Sequence, residues 1–182
     1  MLDDVTVAGI VDWLIEQALI ATASEQILAG CCERVNAAGL PIVRGHCSAS
    51  TLHPQFEAVS ASWHRDRGSE AAAHEHGASS EEPWQRSPLL PLTSGEVRRV
   101  RHRLAGEIPD AYPVLREFRD LGGTDYVAFV TQWRRDGRFD DTVKTGMISS
   151  WITDRPGGFA DAEIAALERA FNKRSRPRCA RR

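Results

Sequence analysis

Residues 125–133, DYVAFVTQW, constrain the fold more than any other stretch of the chain. Nearly every position is β-branched, aromatic or small and apolar, on both faces of the strand they predict. A strand apolar on both faces has to be covered on both faces. Asp136-Gly137 marks a turn, and Met147 to Thr153 (MISSWIT) reads as the returning strand. The chain therefore needs a sheet centre and enough helix to cover two sides. With 182 residues, 42% apolar and 26% charged, it can bury such a core as one ordinary domain.

Other segments supply the covers and the flanking strands. Val7, Ile10, Val11, Leu14, Ile15 and Ala18 recur at helical spacing and predict a first helix, with Asp3 and Asp4 at its N-terminus. Thr22-Ala-Ser-Glu25 has capping-box spacing and opens a second helix, with Ile27, Leu28, Cys31, Cys32 and Val35 inward and Gly39 as the stop. Leu40 to Ser50 and Phe56 to Trp63 read as a hairpin around Thr51-Leu-His-Pro54. From His64 to Glu82 the apolar pattern disappears, which predicts a flexible loop, a lid or an insertion. Pro83-Trp84 and Ser87-Pro88-Leu-Leu90 restart order as a short helical element. Val97 to Leu104 alternates basic and apolar residues and fits an edge strand. Tyr112 to Leu121 is helical, capped by Asp110 and ended by Gly122-Gly123. Arg155-Pro-Gly-Gly158 breaks the chain before a last helix from Asp161, with Ile164, Leu167 and Phe171 on one face. The order is α-α-β-β-(loop)-β-α-β-β-α, which implies an α+β fold, an antiparallel sheet with helices packed on its faces.

Net charge is −2, so the protein as a whole is no nucleic-acid binder by charge. The charge is uneven: residues 1–95 carry 5 basic and 12 acidic groups, residues 96–182 carry 18 and 13. Lys173, Arg174, Arg176, Arg178, Arg181 and Arg182 concentrate the excess in residues 172–182, a basic tail expected to be disordered, after a single domain over 1–171. The start, Met-Leu-Asp-Asp, lacks a signal peptide's positive region, and no stretch has the length of a membrane span, so a cytoplasmic protein is expected. Cys31, Cys32 and Cys47 read as buried small residues and Cys179 as a tail thiol; there is no CxxC.

Candidate chemistry is sparse. There is no P-loop, GxGxxG, GxSxG or HExxH. His74 and His76 could share a strand face but lack a third ligand, and His46 and Cys47 point to opposite faces, so no metal site is expected. A Cys47–His102 dyad has no supporting local motif. Arg98, Arg99, Arg101 and Arg103 form a basic strip that reads as a solvated strand face, with an anion or partner-docking surface as the alternative. Trp63, Tyr126, Trp133 and Trp151 are strand aromatics. They suit a core, or the walls of a cavity that also holds polar groups such as Thr51 and Ser149.

Several segments together resemble a known family. VDWLIEQAL, AAGLPIVRG…TLHP, the SPL at Ser87, YPVLREFRDLGGTDYVAF and WITDRPGGFADAEIAALERA stand in the order found in the N-terminal, GAF-like sensory region of class III adenylate/guanylate cyclases of the rhizobial type. The resemblance runs from about Val11 to Ala170. It implies a GAF-like sensory or regulatory domain tied to cyclic nucleotide signalling. In that family a catalytic domain follows, whose paired aspartates hold two metals on the nucleotide phosphates. Here an arginine-rich tail follows Phe171, so the expectation is a non-catalytic sensory half, truncated or stand-alone, without cofactor. The junction also departs from the family, with Ala160 where a Ser or Thr helix cap is usual. A small-molecule ligand is expected near Thr51, His53, Trp63, Tyr126, Ser149 and Trp151. The alternatives are a homodimerisation module built on the first helix, or cyclase activity only with a partner that carries the catalytic domain.

Overall fold

The computed structural model describes residues 3–51, 53–77, 82–94, 96–132 and 146–171. The Asp136-Gly137 turn, Trp133, Cys179 and the basic tail lie outside these residues.

Two helices open the chain, α1 (Asp4–Leu19) and α2 (Ser24–Ala37). Asp3 caps α1, its carboxylate accepting the Thr6 N–H at 2.8 Å. The capping box expected at α2 does not form. Ala23 is the N-cap without a side-chain bond, and the Thr22 hydroxyl donates to Gln17 Oε1 instead, at 3.1 Å. Strands β1 (Ile42–Ser50), β2 (Phe56–His64) and β3 (Gly68–Glu75) follow as a meander. Next come the one-turn helices α3 (Glu82–Gln85) and α4 (Leu90–Thr93), then β4 (Arg99–Arg103) and α5 (Val114–Asp120). β5 (Asp125–Gln132), β6 (Gly146–Thr153) and α6 (Asp161–Phe171) complete the order. Asp110 does not cap α5; it pairs with Arg116.

The strands form one six-stranded sheet, ordered β3-β2-β1-β6-β5-β4, antiparallel at every pairing. This is the α+β arrangement expected, with β5 and β6 inside and β4 at an edge. Residues 68–75 correct the flexible-loop reading of 64–82. They pair with β2 along their length, starting from a turn at Gly68 with φ 81°. The reason is physical: β3 is a sheet edge exposed at every position, held by backbone hydrogen bonds, so it carries no apolar alternation to read.

Each face of the sheet has its own core. On the first, α1, α2 and α6 cover Trp63, Val127, Phe129, Trp151 and Phe159. On the second, α5 and the segment around α4 cover Tyr126, Ala128, Ile148 and Ile152 with Leu89, Leu92, Leu104, Leu115 and Phe118. Burying both sets of side chains is the main stabilising term. Gly45 matters on the first face. Trp63 and Trp151 lie opposite it on the two neighbouring strands, and a Cβ there would stand 2.6 Å from Cys32 Sγ of α2.

Candidate functional site

Strand alternation sets up the site. On the second face, β1 presents His46, Ser48 and Ser50, β2 presents Ala58, Ser60 and Ser62, and β3 presents Glu70, Ala72 and His74. These side chains are small or polar, unlike the aromatic and aliphatic residues that fill the same face farther along the sheet. A cavity of about 770 Å³ lies over them, walled by His46, Ser48, His74 and Ile148 from the sheet and by Pro83, Trp84, Leu90 and Thr93 from the α3–α4 segment. The volume lies within the usual range for small-molecule sites.

Both imidazoles of this wall are anchored. His46 Nδ1 lies 3.0 Å from Ser62 Oγ, and His74 Nε2 lies 2.8 Å from Ser60 Oγ. A hydroxyl can donate or accept, so each ring can take either tautomer. Among the described residues the second nitrogen of each ring has no hydrogen-bond partner. Burial, the Arg44 guanidinium and then His74 push the His46 pKa down to about 3. His46 is therefore a neutral donor or acceptor near neutral pH. Arg44, two residues along the same strand face, stands over the Phe118 ring at 4.9 Å. The cavity thus offers hydrogen-bonding groups, the Glu57 carboxylate, an indole wall and a nearby fixed cation.

The first face holds a smaller cavity of about 190 Å³, lined mostly by apolar residues including Ile27, Cys47, Val59, Met147 and Phe171. On the same face Thr131 Oγ1, Ser149 Oγ and Trp151 Nε1 are buried without a hydrogen-bond partner among the described residues. Burial pushes the Cys31 thiol up to about 12 and the Cys32 and Cys47 thiols upward as well, which leaves them unreactive.

The six residues expected around a ligand are split by the sheet. Trp63, Ser149 and Trp151 belong to the first face, and Tyr126 to the second, where its ring stacks on Phe118 at 5.6 Å. Register explains the split: Tyr126 pairs with Ile152, so Trp151 pairs with Val127 and points to the other side. Thr51 and His53 sit beyond the end of β1; Thr51 Oγ1 accepts the His53 N–H, and His53 stacks on Phe56. His46 and His74, which the sequence offers only as incomplete metal-ligand sets, wall the larger cavity. Their signal in the sequence was polar alternation on β1, legible only once β3 was known to pair alongside.

The other candidate constellations dissolve. His76 Nε2 lies 3.2 Å from the His53 carbonyl while His74 bonds Ser60. Cys47 lies in the first-face core, and the His102 ring lies on the second face near Tyr112 and Tyr126, so no dyad forms. The basic strip is exposed at Arg98, Arg99 and Arg103, as a solvated strand face would be, but it is also tied into the molecule by ion pairs, with Arg101 the most covered. Arg101 and Arg103 both pair with the fully buried Asp125, and Arg99 pairs with Glu168.

No family model matches the chain, and no curated protein matches it in sequence. Among solved structures, the phycocyanobilin-bound GAF domain of a cyanobacterial phytochrome aligns over 89% of this chain and 87% of that one, at 11% identity and a TM-score of 0.49. The phycoerythrobilin-bound GAF domain of a cyanobacterial phytochrome aligns over 91% of both chains, at 11% identity and a TM-score of 0.48. No helix among the described residues is long and apolar enough to cross a membrane.

Proposed function

We propose that this chain is a GAF-like sensory or regulatory domain that binds a small molecule in the cavity over the second face. The observation that carries the reading is the pair of histidines, His46 and His74, each anchored through one nitrogen and open at the other on the wall of a 770 Å³ cavity. The ligand meets these nitrogens, packs against Trp84 and Ile148, and approaches Tyr126 along the same face. Binding acts by population shift, favouring the state in which the α3–α4 segment closes on the ligand. In this reading the domain is the sensory part of the cyclic nucleotide signalling arrangement that its sequence resembles, without turnover of its own.

The test is thermal denaturation of the purified chain against a library of metabolites and nucleotides. A ligand at about one hundred times its Kd stabilises by about 2.7 kcal/mol, a rise of roughly 5–10 °C for a domain of this size. His46→Leu should abolish the rise. A library without any stabilising compound counts against the cavity as a ligand site. Incubation with ATP and a divalent metal should leave the nucleotide unchanged; formation of cyclic AMP by the isolated chain would overturn the non-catalytic reading.

A further inference from the structure

The two edges of the sheet are built differently. β4 is five residues long, carries three arginines, and ties Arg101 and Arg103 into the molecule through Asp125. A short, charged edge of this kind resists pairing with other chains. β3 is less protected, its charges being Glu70 and Glu75 on either side of an alanine run. It is eight residues long, contains no proline and no lysine, and is exposed throughout. Its one register irregularity with β2 falls near the Glu75 end, opposite Phe56 and Ala58. Among the described residues no strand pairs with its outer side. Its middle is Ala71-Ala72-Ala73, so only methyl groups flank the unpaired backbone and a second strand can approach unhindered.

We propose that a second copy of this chain pairs antiparallel with β3 about a two-fold axis at Ala72, joining the two six-stranded sheets into one. Two-fold symmetry makes the contact isologous and closed. In this register Ala71 faces Ala73 and Ser69 faces Glu75. Glu70 faces His74 of the second copy, and this pair occurs twice. Opposite or hydrogen-bonding groups therefore meet at every charged position, and no like charges oppose each other. His74 is anchored on its own chain by Ser60. This charge pattern is why the occupant is a second copy rather than an unrelated extended peptide. The interface is small, so the dimer is weak and reversible.

Sedimentation velocity on the full chain, over a concentration series reaching about 1 mM, should show a reversible monomer–dimer equilibrium. His74→Glu should weaken the dimer about tenfold, because it places glutamates opposite one another twice, and Glu70→Lys should weaken it by removing the carboxylate that accepts from His74. An equimolar mixture of the two variants should restore dimerisation. There the introduced lysine of one chain meets the introduced glutamate of the other, while native His74 and Glu70 face each other. Ala72→Cys should cross-link into a covalent dimer under mild oxidation, under conditions that leave the unsubstituted chain uncross-linked. All these positions are exposed, so the melting temperature of each variant should stay close to that of the parent. A chain that stays monomeric at every concentration overturns the proposal. So does a dimer indifferent to both charge substitutions, which would use another surface, and so does failure of the mixture to recover the dimer.

Discussion

At the scale of single residues, Asp125 is the side chain on which most converges. It is 0% exposed and accepts from Arg101 at 2.8 Å, from Arg103, and from the Phe159 N–H at 2.9 Å. The carboxylate thus ties β4, the start of β5 and the approach to α6 together. Asp125→Asn keeps the shape but leaves Arg103 without a counter-charge and Arg101 with Asp161 alone. It should lower the stability by about 3 kcal/mol, read as a lower urea midpoint at unchanged m-value. His46 makes a second prediction. Its pKa lies near 3 in the folded protein against an ordinary 6.5, so between these values the unfolded chain binds a proton that the folded one does not. Stability should therefore fall as pH drops from 7 towards 5, by at most about 1.4 kcal/mol per pH unit from this group. His102 and His64 are shifted down too and add to the slope. His46→Gln should flatten the dependence of melting temperature on pH over this range; an unchanged slope would refute the assignment.

At the scale of elements, the start of α6 shows how a missing cap is replaced. Ala160 has no side-chain oxygen to satisfy the first helical N–H groups. Glu163 reaches back instead, one carboxylate oxygen accepting the Ala160 N–H at 2.8 Å while Arg155 grips the same group. The Arg155 bond is the main reason the Glu163 carboxyl titrates below its usual range. Arg155 also donates to the Gly158 carbonyl, so the RPGG break and the helix start lock each other. Gly158 itself has φ 71°, and a Cβ there would run into Asp125 and Arg103. Glu163→Ala should cost about 1–2 kcal/mol in urea unfolding, with exchange protection lost first in the opening turn of α6. Unchanged protection there would mean that α6 is held by its apolar face alone.

At the scale of the whole molecule, a two-sided sheet has one densely filled face and one that is filled only in part. The cavity exists because Ser48, Ser50 and Ala58 are too small to meet α3 and α4 across it, whereas Tyr126 stacks directly on Phe118 of α5. Trp84→Ala removes a half-buried wall residue and should change the melting temperature of the free protein little, yet reduce stabilisation by any cavity ligand about tenfold in affinity; equal stabilisation of both forms would place the ligand elsewhere. Much of this organisation was legible from local pattern. The apolar run 125–133 demanded a sheet covered on both sides, and alternation and glycines located five of the six strands and the longer helices. Local sequence could not reveal β3, because an edge strand exposed on both faces obeys no burial pattern. Nor could it gather the site. Which face a strand residue occupies depends on register between segments far apart in the chain, and a shift of one residue moves every side chain to the other side. The tie of Arg101 and Arg103 to Asp125 has the same origin: that carboxylate lies more than twenty positions away, and only the pairing of β4 with β5 brings it near. Periodicity therefore determined the elements and the fold class, while tertiary register decided the cavity, its histidines and the fate of the basic strip, because burial and charge pairing are properties of surfaces that exist only once the strands have met.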